Sequence, residues 1–209
     1  MTYSVCVYCG SRSGARDTYA EDAAKLGTAL AEAGMRLLAN RRAKGAFRAA
    51  VPTPGRATMA IGSGLMGIVA RAAMAAGGTT FGVIPDHLMR REVGKRDLHT
   101  FIVTETMHER KKVMVMNADA IVVLPGGAGS LDEFFEVLTW RQLGLHDKPI
   151  FLLNSEGYWD KLRGLLDHIV DQGFADGSLL EFFQTASDVP EFGASRHLRG
   201  SGRVPVDRC

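Results

Sequence analysis

This chain has few cysteines and no large excess of charge of either sign. Three cysteines in 209 residues do not form a disulfide framework, so the fold should depend on a packed core. A formal net charge of +2 gives no electrostatic argument for binding nucleic acid. No apolar run reaches the roughly 20 residues that a membrane-spanning helix needs, and no secretory signal is visible. These absences predict a cytoplasmic protein that binds neither nucleic acid nor membrane.

Two of the cysteines, Cys6 and Cys9, form a single C-x-x-C pair inside or at the end of an apolar run. Zinc sites of this kind need a second pair of ligands, and Cys209 lies at the far end of the chain. Strand residues three positions apart face opposite sides of a sheet. We therefore interpret the pair as structural and predict no metal site.

Short apolar runs alternate with amphipathic segments, which predicts a single α/β domain. The predicted strands are 3–8, 35–39, 79–84, 100–104, 119–124, 149–153 and 181–186. The predicted helices are 17–33, 65–76, 106–117, 130–143 and 158–172. Continuous apolar strands are typical of a parallel sheet that is buried on both faces. The fold class is thus a doubly wound, Rossmann-like parallel sheet with helices on both faces, and ligands should bind at the carboxyl ends of the strands.

Two segments do not fit the alternating pattern. Residues 40–61 include five basic residues, no acid and two prolines, and they interrupt the predicted domain, which spans 1–190. Residues 191–209 are similarly basic and rich in Gly, Ser and Pro. Neither segment interleaves aromatic residues with its charges, as nucleic-acid-binding segments do. We interpret them as a mobile insertion and a disordered tail.

The most informative stretch runs from Asp119 to Glu133, where an apolar strand ends in a glycine-rich turn that opens a helix. Gly126, Gly127 and Gly129 allow the backbone to approach a ligand, and a helix N-terminus favours anions. Asp132 and Glu133 put carboxylates beside this anion site. An alternative is a capping box, in which the Ser130 hydroxyl accepts from the amide of Glu133.

A second unusual segment is the basic start of the helix predicted at 106–117. Arg110 and Lys111 lie where the helix dipole favours acids, so local helix energetics do not explain them. An anionic ligand at this strand end would explain them. The alternative is a solvated basic face.

Residues 62–67 match the dinucleotide-binding pattern G-x-G-x-x-G, and Asp86 follows at a spacing that suits a ribose contact. No firm apolar strand leads into the first glycine, however, and Asp86 lies beyond the end of its own strand. We therefore favour a glycine loop that binds the phosphate of some other ligand over the dinucleotide site of a nicotinamide-dependent oxidoreductase.

Taken together, Met-His-x-Arg-Lys at 107–111 and Pro-Gly-Gly-x-Gly-Ser-x-x-Glu at 125–133 resemble the Lonely Guy family of phosphoribohydrolases, formerly labelled "lysine decarboxylase-like". The resemblance covers most of the chain and continues at 5–11, 64–67, 82–85, 139–144 and 146–149. Ser130 stands where the family usually has Thr, and residues 40–61 replace part of a glycine-rich loop. The composition of that stretch resembles a coding sequence read out of frame, a hypothesis that resequencing the locus tests.

The resemblance implies hydrolysis of the N-glycosidic bond of nucleoside 5′-monophosphates, including cytokinin ribotides and AMP, to free base and ribose 5-phosphate. It implies no cofactor and a homodimer or larger homo-oligomer. The implied catalytic pair is Arg110 and Glu133. The implied substrate-binding residues are Glu92, Lys111, Gly126, Gly127, Gly129, Ser130 and Asp132, with Gly10, Ser11 and Gly64 in a phosphate loop.

Of two alternatives to nucleotide hydrolysis, one stays open and the other is disfavoured. A non-catalytic nucleotide- or phosphoester-binding protein of the same fold is the main alternative, because the stretch 40–61 replaces part of the expected loop. A true lysine decarboxylase is disfavoured, because a pyridoxal-phosphate enzyme needs a Schiff-base lysine that nothing in the sequence marks.

Overall fold

The computed structural model describes residues 2–40, 64–86 and 100–195. Within these ranges, seven strands form one sheet: β1 Ser4–Tyr8, β2 Arg36–Asn40, β3 Thr80–Pro85, β4 Thr100–Thr104, β5 Ala120–Val123, β6 Ile150–Leu153 and β7 Phe183–Ala186. The helices are α1 Asp17–Glu32, α2 Leu65–Ala75, α3 Met107–Met116, α4 Ala128–Gln142, α5 Asp160–Asp171 and α6 Val189–Ala194. Short 3-10 turns occupy Ser155–Gly157 and Gly177–Glu181.

All neighbouring strands are parallel, in the order β4-β3-β2-β1-β5-β6-β7. The chain first builds the sheet outward from β1 to β4. It then returns to place β5 on the other side of β1. The loops that follow β1 and β5 therefore diverge at a topological switch point, where open α/β sheets bind their ligands. The predicted doubly wound α/β fold is confirmed.

Strand β1 lies in the middle of the sheet, and its side chains alternate between two cores. Val5 and Val7 pack in a cluster with α1 and α2, whereas Cys6 and Tyr8 pack in a cluster with α3, α4 and α5. Cys9 belongs to the first cluster, so the two cysteines face opposite sides of the sheet, as predicted. Burial raises the pKa of the Cys6 thiol to about 12 and also raises the pKa of Cys9, so both thiols stay protonated.

Helices α1 and α2 approach each other closely on one face of the sheet. A Cβ atom on Gly27 would lie 2.2 Å from the carbonyl oxygen of Val69, so only glycine fits between the two backbones. This contact fixes the position of α2. It thereby brings Gly64, the residue before α2, next to the loop that follows β1.

The boundaries of the predicted elements hold to within a few residues, with the clearest differences at two helices, and one further helix, α6, was not predicted. Helix α4 begins at Ala128, two residues early, and α5 begins at Asp160, two residues late. Helix α6 continues past the predicted domain end at residue 190, and its Phe192 is buried. The predicted insertion at 40–61 lies outside the described residues, apart from Asn40, which ends β2. The predicted disordered tail begins at residue 191, but residues 191–194 are helical in α6; from residue 196 onward the tail lies outside the described residues. Among the described helices, none combines the length and the apolar character that a membrane span requires.

Candidate functional site

A cavity of about 580 Å³ lies at the switch point between β1 and β5. Its walls are the loop after β1, the loop and first turn after β5, the start of α2, and two tyrosines. Seven of the predicted site residues line it: Gly10, Ser11, Gly126, Gly127, Gly129, Ser130 and Glu133. Residues that are far apart in sequence but were predicted to share a site therefore meet around one cavity.

Glycines allow the two loops to touch. The amide of Gly10 donates to the carbonyl of Pro125 at 3.0 Å. A Cβ atom on Gly126 would lie 2.1 Å from the Ser130 hydroxyl oxygen and 2.9 Å from the Gly10 nitrogen. Gly64 has φ +103, and a Cβ there would lie 2.3 Å from the carbonyl carbon of Ser11. Gly10 thus contacts the glycine-rich turn directly, and Gly64 contacts Ser11 in the same loop as Gly10.

The N-terminus of α4 faces this cavity without a side-chain cap. Gly127 is the N-cap residue, and the Ser130 amide bonds to the Gly127 carbonyl at 2.9 Å. The amides that precede Ser130 have no partner within the helix, as at every helix start, and they can bind an anion. The predicted capping box is wrong, because the helix starts two residues before Ser130 and places that serine inside the first turn.

Glu133 lies one turn further along α4, on the same face as Gly129 and Ser130. Its side chain is 7% exposed and lines the cavity. Its Oε1 atom accepts from Nη2 of Arg110 at 3.2 Å, and the Arg110 side chain is completely buried. A carboxylate in so buried a position needs a paired cation, and Arg110 supplies it. The predicted catalytic pair is therefore in direct contact.

Lys111, the next residue of α3, contacts a different part of α4. Its Nζ atom donates to Asp132 at 2.6 Å and lies 3.0 Å from Glu136. Burial alone would lower the pKa of Lys111, but the hydrogen bonds to these two carboxylates outweigh it and raise the pKa. Lys111 and Asp132 were predicted to bind substrate. Neither is among the residues that line the described cavity, and together they join α3 to α4.

The basic start of α3 thus has an explanation within the protein. Thr106 and Glu109 form a capping box, with the Glu109 amide donating to the Thr106 hydroxyl at 3.1 Å. This box satisfies the helix terminus, while carboxylates of α4 neutralise Arg110 and Lys111. The alternative of a solvated basic face is wrong, since both side chains are buried. The basic pattern predicted an anionic ligand, but in the described residues the anions that pair with Arg110 and Lys111 are carboxylates of α4.

Some predicted residues fall outside the site as described, and others were missed. Glu92 lies outside the described residues, as do Gly62 and Ser63 of the G-x-G-x-x-G match. Tyr19 and Tyr158 line the cavity but were not predicted as site residues, because an isolated tyrosine carries no motif. Within the described ranges, no three His, Cys, Asp or Glu side chains are grouped to hold a metal ion.

Comparison with known proteins agrees with the motifs. A family profile described as "Possible lysine decarboxylase" matches residues 66–194. Cytokinin riboside 5′-monophosphate phosphoribohydrolase LOG5 of Arabidopsis thaliana is 38% identical over 90% of this chain and 74% of its own length. The chain belongs to the Lonely Guy family. A second relative, the probable cytokinin riboside 5′-monophosphate phosphoribohydrolase LOGL9 of Oryza sativa subsp. japonica, is 40% identical over 89% of this chain and 74% of its own length.

Solved structures show how widely the fold of this Lonely Guy family member is shared. The molybdenum cofactor carrier protein of Chlamydomonas reinhardtii has a TM-score of 0.62 and 21% identity, over 93% of this chain and 95% of that one. The molybdenum cofactor binding protein of Rippkaea orientalis has a TM-score of 0.60 and 21% identity, over 92% and 93% of the chains. At these identities the likeness shows the fold alone.

Proposed function

We propose that this protein hydrolyses the N-glycosidic bond of cytokinin riboside 5′-monophosphates and releases the free base and ribose 5-phosphate. The observation that carries the proposal is the buried carboxylate of Glu133, which lines the cavity 3.2 Å from Arg110 and one turn from an uncapped helix N-terminus. The activity named for the relatives that are 38% and 40% identical to this chain supports the same proposal.

The 5′-phosphate is assigned to the loop that ends in α4. The first amides of α4 offer donors and the positive end of the helix dipole. Nothing lies within 4 Å of a Cβ atom built on Gly127, so a phosphate oxygen can approach that backbone. Gly10 and Ser11 form the opposite wall. This arrangement favours a monophosphate over an unphosphorylated nucleoside.

The chemistry is assigned to Glu133. As the bond between C1′ and the base nitrogen breaks, its electron pair moves to the base and positive charge develops on the ribose. A carboxylate beside the ribose stabilises that charge and takes a proton from the attacking water. The water oxygen bonds to C1′, and the proton ends on the departing base. Because Arg110 is buried beneath the cavity wall, its role is to hold Glu133 charged and oriented.

The proposal keeps AMP as a second substrate of the same class and a homodimer or larger homo-oligomer as the assembly. It assigns Lys111 and Asp132 a supporting role, because their ion pair holds α3 against the helix that carries Glu133. No cofactor enters the proposed reaction, since water is the only co-reactant that the hydrolysis needs.

The test is base release from isopentenyladenosine 5′-monophosphate and from AMP. Glu133→Gln keeps the shape of the side chain but removes the charge and the base, so turnover should fall by about 100-fold or more. Glu136→Gln is the matched control, because Glu136 lies one turn further on α4, pairs with Lys111 and does not line the cavity. Equal turnover by Glu133→Gln and the wild type would overturn the assignment. Saturable nucleotide binding without base release would support the alternative of a non-catalytic binding protein.

A further inference from the structure

The chain between β6 and α5 has a backbone conformation that local sequence does not favour. Glu156 has φ 51 and is the one non-glycine residue with positive φ in the described parts of the chain. Gly157 follows with φ 72, so two consecutive residues are left-handed. Non-glycine residues in this region carry strain that the surroundings must hold in place, and such residues cluster at functional sites.

Contacts from the start of α1 hold the strained residue. The Ser155 hydroxyl donates to Asp22 at 2.5 Å in a buried position. One carboxylate oxygen of Glu156 accepts from the Thr18 hydroxyl at 2.6 Å, and the other pairs with Arg16. Arg16 ends the loop that follows β1, and Thr18 lies in the first turn of α1. The turn is therefore tied to the same loop that forms one wall of the cavity.

The strained turn determines where Tyr158 lies. The Tyr158 hydroxyl donates to the carbonyl oxygen of Gly126 at 2.7 Å, and its ring lines the cavity. The ring packs edge-on against Tyr19 at 5.6 Å and against Trp159 at 4.8 Å between centroids. A residue from the β6–α5 connection thus reaches over to the glycine-rich loop after β5.

We infer that Tyr158 is a positioning residue for the phosphate-binding loop. The peptide unit is planar, so fixing the carbonyl of Gly126 also fixes the direction of the Gly127 amide that shares its plane. Gly126 and Gly127 have no side chains of their own to restrict them, so an external hydrogen bond has a large effect on their orientation. The inference rests on the proposed assignment of the phosphate to this loop.

The experiment compares Tyr158→Phe with the wild type. The variant keeps the ring and its aromatic contacts and loses only the hydroxyl. Isothermal titration should show a Kd for ribose 5-phosphate raised about three- to tenfold, the usual weight of one hydrogen bond. In steady-state hydrolysis KM should rise by a similar factor with kcat within about twofold, since the hydroxyl acts on binding and not on Glu133. A merely structural role would instead lower the melting temperature without this split.

Tyr3→Phe is the control. It also removes one tyrosine hydroxyl, but Tyr3 directly precedes β1, at the opposite end of that strand from the cavity, and is not among the residues that line the cavity. Its Kd for ribose 5-phosphate should change by less than about twofold. A Tyr158→Phe value within twofold of the wild type, or an equal effect of Tyr3→Phe, would overturn the inference.

The outcomes separate this inference from the proposed function. If the wild type binds ribose 5-phosphate and releases no base, while Tyr158→Phe binds it more weakly, the hydrolase proposal fails and the positioning role stands. If base is released and Tyr158→Phe is indistinguishable from the wild type, the positioning role fails and the hydrolase proposal stands. A wild type that binds neither ribose 5-phosphate nor AMP overturns both.

Discussion

Replacing Gly126 with alanine tests whether the two loops at the switch point are in true backbone contact. The new Cβ atom would lie 2.1 Å from the hydroxyl oxygen of Ser130, 2.7 Å from its Cβ and 2.9 Å from the Gly10 nitrogen. Ordinary non-bonded contacts are about 3.5 Å. The serine hydroxyl could rotate away. The Ser130 Cβ cannot move without the helix backbone that carries it, and the Gly10 nitrogen belongs to the loop backbone, so the loops themselves must separate.

The cost follows from that geometry. Overpacking of this kind typically destabilises a protein by about 1–3 kcal/mol. For a chain of this length, each kcal/mol corresponds to about 2–4 °C in melting temperature, so Gly126→Ala should melt about 2–12 °C below the wild type. The hydrogen bond from the Gly10 amide to the Pro125 carbonyl, now 3.0 Å, should lengthen or break as the loops separate. Ribose 5-phosphate binding should weaken with it.

The neighbouring glycine supplies the control. A Cβ atom on Gly127 meets nothing within 4 Å. The reduced entropy of the unfolded chain offsets the poorer N-cap, so Gly127→Ala should stay within about 1 kcal/mol of the wild type. Thermal and urea unfolding of both variants, followed by circular dichroism, measure the difference. Equal stability of the two variants would refute the close loop contact.

Three further predictions concern the framework around the site. Burial lowers the pKa of His146, so the folded state favours the neutral imidazole and stability is lost as pH falls below about 6.5. In urea unfolding at neutral and mildly acidic pH, the free energy of unfolding should fall less for His146→Gln than for the wild type. Lys111→Met should lower the free energy of unfolding by about 1–3 kcal/mol, because it leaves Asp132 and Glu136 without their cation. Lys112→Met, at an exposed position, should stay within about 0.5 kcal/mol of the wild type. Comparable losses of unfolding free energy for the two variants would contradict the ion-pair assignment. Thr106→Ala should cost about 1 kcal/mol of unfolding free energy through loss of the α3 cap, and a neutral result in urea titration would argue against the capping box.

The fold was predictable because its strands are apolar runs separated by amphipathic helices. The capping box at Ser130 failed for a reason that no local pattern contains. The motif Ser-x-x-Glu at 130–133 predicts a helix whose N-cap is Ser130, but the same residues can also lie inside a helix whose N-cap is Gly127. The observed start at Ala128 follows a long-range contact, in which the Gly10 amide donates to the Pro125 carbonyl two residues before the N-cap. That partner is more than a hundred residues away in sequence.

The site was predictable only in part. The resemblance paired Arg110 with Glu133, and the structure places them in contact. The sequence could not show that Lys111 pairs with Asp132, because that contact depends on how α3 packs against α4. Tyr158 was missed for a different reason: its position depends on a left-handed glutamate before it, which no residue preference predicts.

Two adjacent cations on α3 face two adjacent carboxylates on α4, and the pairs have different exposures. Successive helix residues point about 100° apart, and Arg110 and Lys111 contact different carboxylates of α4. Arg110 is fully buried and holds Glu133 at the cavity, while Lys111 holds Asp132 and Glu136 nearer the surface. Both pairs join α3 to α4. The orientation of Glu133 is therefore tied to the packing of α3 against α4.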